Sequence, residues 1–137
     1  MVELGVATFL GAAIVPFTTT STANDDETQY VVRAGVATAK QLAAGTDDTR
    51  NGYGFSVQTY PGISVDELAR GGYFKNKQIS VTKLQLLEAI PGVEVNWPTP
   101  GRGDYHGTVN VTNPPPPGLF DAISAIFRQR TNPYPIR

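Results

Sequence analysis

A chain of 137 residues fits one domain, or a small domain with a tail. Its 11 Lys and Arg against 12 Asp and Glu exclude a strongly basic or strongly acidic protein. The absence of cysteine excludes a disulfide scaffold, a thiol nucleophile and Cys-ligated zinc or iron–sulfur centres. His106 is the single histidine, which excludes a multi-histidine metal site as well.

The chain opens on an apolar run, Leu4 to Phe17, that is too short to span a bilayer. Glu3 stands where a secretory signal would carry Lys or Arg. The run therefore reads as a segment that packs on the domain or a piece of a larger parent, with a cleaved signal as the alternative. Thr18 to Thr28 is a polar linker that buries too little apolar area to offset its ordering entropy. Residues 1–28 are thus set apart from a folded body over 29–137.

From Tyr30 onward, β-like runs alternate with capped helices. Tyr30 to Arg33 predicts a strand; Thr38 with Gln41 makes a capping box, and Gly45 a stop. Tyr53 to Tyr60 alternates and predicts a second strand. Ser64 with Glu67 caps a helix that ends at Gly71-Gly72. Gln78 to Val81 predicts a third strand, followed by a helix capped by Thr82 and Gln85, with Leu84 and Leu87 on its apolar face and Pro91-Gly92 as its stop. Val93 to Trp97 and Tyr105 to Val111 predict two more strands. The prolines at 114–117 form a stiff connector into a last helix, Gly118 to Arg130, with Leu119, Ile123, Ile126 and Phe127 at helical spacing. The fold class expected is α+β: a small twisted, mainly antiparallel sheet of about five strands with three or four short helices.

Charge is uneven along the chain. Residues 1–69 hold three bases against eight acids, a net of −5, and residues 70–137 hold eight bases against four acids, a net of +4. The second half suits a polyanion such as RNA or a dinucleotide, although short-range alternation of charge gives the same totals.

His106 is the first candidate for chemistry, since histidine alone has an unperturbed pKa near neutrality. Alternation puts Thr108 on its face, and Arg102 lies in the Gly-rich turn before it. Arg33, inside an apolar strand, calls for either a ligand phosphate or an internal partner such as Glu94. Ser80 and Thr82 sit where a strand passes into a helix and backbone N–H groups favour anions, although capping alone accounts for Thr82. Ser56, Lys83 and Tyr105 complete the candidate substrate-binding set. Arg102-Gly103-Asp104 is the tripeptide that integrins read, but a Gly-rich turn needs no such role. No phosphate-binding Gly motif with strand–turn–helix context is present.

The order VVRAG, GFSVQTYPGISVDELARGG, KNKQISVTKLQLLEA and YHGTV, with an Asn-Pro ending, resembles a C-terminal module of bacterial polymorphic toxins of the Rhs and contact-dependent kinds. The resemblance covers about residues 29–135. It carries the module's Arg to Arg33, its Val-Thr turn to Val81-Thr82 and its His-x-Thr to His106 and Thr108, whereas Lys83 replaces the second residue of a Thr-Thr pair. It implies an antibacterial effector, secreted from a bacterium, acting in the target-cell cytoplasm and neutralised by a cognate immunity protein.

Three readings follow. In the first, a metal-independent ribonuclease uses His106 as general acid or base, Arg33 and Arg102 to hold the phosphate, and Thr108 or Thr82 to orient it, with no cofactor. In the second, VVRAGVATAKQLAAG resembles the first strand and helix of Arg-type ADP-ribosyltransferases. Arg33 would then hold the phosphates of NAD, and Ile79 to Thr82 would stand for that family's Ser-Thr-Ser strand. The late Glu-x-Glu of those enzymes is absent, as Glu88 and Glu94 are the only glutamates past Ser80. The third reading is a non-enzymatic binding or structural module.

Overall fold

The computed structural model describes residues 28–49, 52–99, 101–102 and 104–135. The apolar run from Leu4 to Phe17, all of the linker before Thr28, and Gly103 of the tripeptide lie outside them. The elements in chain order are β1 (Gln29–Ala34), α1 (Ala39–Ala44), β2 (Asp47–Thr49), β3 (Gly52–Pro61), α2 (Val65–Gly71), β4 (Gln78–Lys83), α3 (Leu84–Glu88), β5 (Val93–Asn96), β6 (His106–Val111), α4 (Leu119–Ile126) and β7 (Arg128–Thr131). The fold is α+β. One open, twisted, antiparallel sheet runs β5-β6-β3-β1-β4-β7, and β2 pairs with β3.

Among the described residues the sheet has seven strands rather than about five. The two additional ones, β2 and β7, are exposed at every residue, so neither carries the apolar signal from which a strand is read. Arg128 to Arg130 accordingly leave the last helix and pair with β4, with Arg128 opposite Val81. Helix α4 ends at Ile126, where Arg128 Nη1 donates to the carbonyl of Ala125 at 3.2 Å.

Local caps form where their side chains predict them. Thr38 Oγ1 accepts from the backbone of Gln41 and Ser64 Oγ from that of Glu67, both at 3.1 Å. Thr82 departs from its expected capping role. It stays in β4 opposite Val31, Lys83 takes the N-cap position of α3, and no side chain caps that helix.

Strand alternation divides the core between the two faces of the sheet. On the first face, Val31, Phe55, Val57, Val95, Val109 and Val111 pack with Leu42, Leu87, Leu119 and Ile123 beneath α1, α3 and α4. On the second, Val32 and Ile79 meet Val65, Leu68 and Ala69 of α2. That helix packs over β1 and against part of β3, and reaches Ile79 of β4. Over β3, β6 and β5 the same face presents Ser56, Gln58, His106, Thr108, Asn110, Asn96 and Glu94, as the register Gln58↔His106, Ser56↔Thr108 and Asn96↔Thr108 requires.

Candidate functional site

The polar half of the second face is where residues of chemical interest gather. His106 is 8% exposed, and its Nδ1 lies 2.7 Å from Thr99 Oγ1. The loop holding Thr99 is tied back to β6 by Thr99 N–H donating to the His106 carbonyl at 2.9 Å. Gly107 keeps the strands close, since a Cβ there would stand 3.1 Å from both Thr59 Cγ2 and Trp97 Cβ and 3.0 Å from the Asn96 carbonyl oxygen. Burial lowers the His106 pKa and the charge of Arg102 lowers it further, both favouring the neutral ring.

His106 Nε2, Gln58 Oε1 and Thr108 Oγ1 are buried polar atoms on this face without a hydrogen-bond partner. Gln58 is the cross-strand partner of His106, and Thr108 follows two residues along the same strand. A buried polar group without a partner costs on the order of 1–3 kcal/mol, so three on adjacent positions form a concentrated defect.

Beside them lies a cleft of about 390 Å³, lined by Gln58, Glu67, Arg70, Tyr105, Arg102 and Asp104 among others. His106 is not itself in the lining; Gln58 is. Arg70 pairs with Glu67 at 3.4 Å with both side chains exposed, a weak restraint, and Arg102 and Asp104 are exposed. An aromatic cluster adjoins the cleft. The Tyr60 ring lies 5.9 Å from that of Tyr105 and 5.8 Å from that of Trp97, and Tyr60 is 40% exposed.

The structure brings together His106, Thr108, Ser56, Arg102 and Tyr105 of the sequence-predicted set. Arg33 is not with them. Val32 pairs with Gln58 and so shares the face of His106, which sends the neighbouring Arg33 to the opposite face. There its Nη1 donates to the Ser56 carbonyl at 2.7 Å and its guanidinium carbon sits 4.8 Å from the centre of the Phe55 ring. Burial lowers its pKa. Glu94 is not its partner, because Glu94 pairs with Asn110 and lies on the His106 face; no carboxylate among the described residues forms an ion pair with Arg33. A side chain at Gly45 would run into the guanidinium, so the end of α1 is shaped around it.

Ser80, Thr82 and Lys83 lie on β4, three strands from β6 and hence roughly 14 Å away. The Ser80 hydroxyl is fully engaged, accepting from Ala37 N–H at 2.9 Å and donating to the Gly35 carbonyl at 2.8 Å. It ties the loop before α1 to the sheet. The residues missed from the sequence are Gln58, Thr99, Arg70 and the aromatic pair Tyr60 and Trp97. Alternation with Ser56 marks Gln58, whereas Arg70 joins the site only through the placement of α2 across the sheet.

Among the described residues no group of three or more His, Asp and Glu is placed to hold a metal, and no helix is long and apolar enough to cross a membrane. No family model, curated protein or solved structure matches this chain.

Proposed function

We propose that this chain is an antibacterial effector domain of the polymorphic-toxin kind that cleaves RNA without a metal, with its active cleft on the β3–β6 half of the second face. The observation that carries the reading is the trio of unpartnered buried atoms, His106 Nε2, Gln58 Oε1 and Thr108 Oγ1, next to two exposed arginines and an aromatic cluster. RNA supplies its own nucleophile, so the protein needs a proton acceptor, cations for the phosphate and a surface for the bases.

In the base-competent tautomer, His106 Nδ1 carries the proton and donates to Thr99 Oγ1, which leaves the Nε2 lone pair free. A ribose enters past Gln58, whose Oε1 accepts from a ribose hydroxyl. Nε2 takes the proton of the 2′-OH, the 2′-oxygen bonds to phosphorus, and the bond from phosphorus to the 5′-oxygen breaks. The departing 5′-oxygen takes the proton back from the imidazolium, leaving a 2′,3′-cyclic phosphate and a 5′-hydroxyl. Thr108 donates to a non-bridging oxygen, and Arg102 and Arg70 balance the charge that builds on the phosphorane. Tyr60 and Tyr105 offer faces on which bases stack, a contact worth about 1–3 kcal/mol per base. The partners of this reading are RNA and a cognate immunity protein, and its setting is secretion followed by action in the target-cell cytoplasm.

A second reading, an NAD-consuming ADP-ribosyltransferase, draws on a different observation. Arg33 stands opposite Ser80 across β1 and β4, has no carboxylate partner among the described residues, and lines a separate cavity of about 380 Å³ with Lys77 and Gln41.

Induction of the full chain in bacteria separates the readings, with total RNA and NAD followed over the first minutes. Fragmented RNA with constant NAD is expected. Falling NAD with intact RNA would transfer the function to Arg33, and unimpaired growth with neither change would leave a binding module.

A further inference from the structure

A further cavity lies away from both sites discussed above. It holds about 630 Å³, within the range of roughly 300–1,000 Å³ usual for small-molecule sites. It wraps the edge of β4 where β7 stops: the pairing ends at Val81↔Arg128, and Thr82 and Lys83 continue beyond it. Tyr30, Val81 and Lys83 enter the lining from one face of the sheet and Thr82 from the other.

Its walls combine two chemistries. Tyr30, Val81, Leu86 and Ile126 are apolar yet none is fully buried, and Leu86 is 45% exposed. The charged members are Lys83, Arg128 and Arg130 against Asp66 alone, and Asp66 is already paired with Arg130 at 3.2 Å. Lys83 carries no compensating carboxylate among the described residues. Thr82, also in the lining, is 5% exposed and its hydroxyl finds no hydrogen-bond partner. An apolar ligand would leave that hydroxyl and the surplus cations unmatched, and a small hydrophilic anion would leave the apolar wall wet.

From the unmatched Thr82 hydroxyl, the surplus cations and the apolar wall, we infer that the cavity at the β4 edge binds a small amphipathic anion, a carboxylate or phosphate monoester on an aliphatic or aromatic body. The head group takes the Thr82 hydroxyl and the charge of Lys83 and Arg128, and the body covers Val81, Leu86 and Ile126. The inference does not rest on RNA cleavage, and its test involves no RNA.

The test is titration of the full chain with octanoate, octyl phosphate and n-octanol, read by amide NMR shifts. Saturable binding of an octyl anion is expected, with shifts at the cavity residues and with n-octanol at least tenfold weaker. Thr82→Val should weaken the anion about two- to tenfold, as loss of one hydrogen bond does. Lys83→Gln should weaken it further at low salt, and the spectrum of each variant reports that it is folded. Tighter binding of octyl phosphate than of octanoate would identify a phosphate ester as the ligand, and the reverse order a carboxylate. Equal affinity for n-octanol, unchanged affinity in both variants, or shifts confined to other surfaces would overturn the inference.

Discussion

Thr108→Val separates a functional hydroxyl from a structural one. Thr108 is 1% exposed, its Oγ1 has no partner, and it lies between Ser56 and Asn96 in the register of β3, β6 and β5. Valine keeps the branched shape and replaces the hydroxyl by a methyl group. The folded state then no longer carries an unpaired buried hydroxyl, which costs about 1–3 kcal/mol in protein mutational data. Val109 and Val111 beside it show that β-branched residues suit this strand. The expected result is a gain of about 1–2 kcal/mol in urea unfolding, or roughly 4–8 °C in melting temperature, using about 4 °C per kcal/mol for a domain of this size. RNA cleavage falls at the same time by about tenfold or more. Gains in stability with losses in function mark a group held for a ligand rather than for the fold. A loss of more than about 1 kcal/mol in Thr108→Val would refute the reasoning, because it would mean that the hydroxyl is satisfied within the protein.

Further outcomes follow from other residues. Ser80→Ala strands the Ala37 amide and the Gly35 carbonyl together and should cost about 2–4 kcal/mol by chemical denaturation; a cost under about 0.5 kcal/mol would contradict its role as a tie. Burial and Arg102 hold the folded His106 pKa below its unfolded value of about 6.5, so the unfolded chain binds more protons and the contribution of this residue to stability falls as pH drops through 6.5 and is regained above it. Arg102→Ala removes one of the two lowering influences, so the acid limb of the cleavage rate should move to higher pH; an unmoved limb in pH–rate profiles would show that His106 does not titrate in the reaction. Leu68→Ala opens a cavity under α2 and should cost about 2–5 kcal/mol, measured by thermal unfolding.

The parts of the fold legible in the sequence are those fixed locally. Thr38 and Ser64 cap their helices with side chains three residues from the amides they satisfy, and the strand centred on Phe55 alternates on its own evidence. Thr82 shows the limit. The same capping pattern is present, but pairing with Val31 prolongs β4 by two residues and the strand takes the residue from the helix. β7 was invisible because Arg128 to Thr131 is polar and exposed, and is a strand only through its pairing with β4. The site was half legible for a related reason. Parity along β6 joins His106 to Thr108, but which face Arg33 takes depends on the register of β1 against β3, which no residue of either strand announces alone. Gln58 was overlooked beside Ser56 although both stand on one face, since only the pairing with His106 gives it a role.

The most direct measurement of the central claim uses purified full-length protein, a short RNA labelled at one end, and a metal chelator throughout. Cleavage leaving a 2′,3′-cyclic phosphate is expected, with substrates lacking the 2′-hydroxyl left intact. His106→Asn should lose at least about a hundredfold in rate, within the range general acid–base groups supply, while Arg33→Met, on the opposite face, keeps the activity of the parent. RNA left intact by the parent protein, or full activity in His106→Asn, would contradict an active cleft on the β3–β6 face.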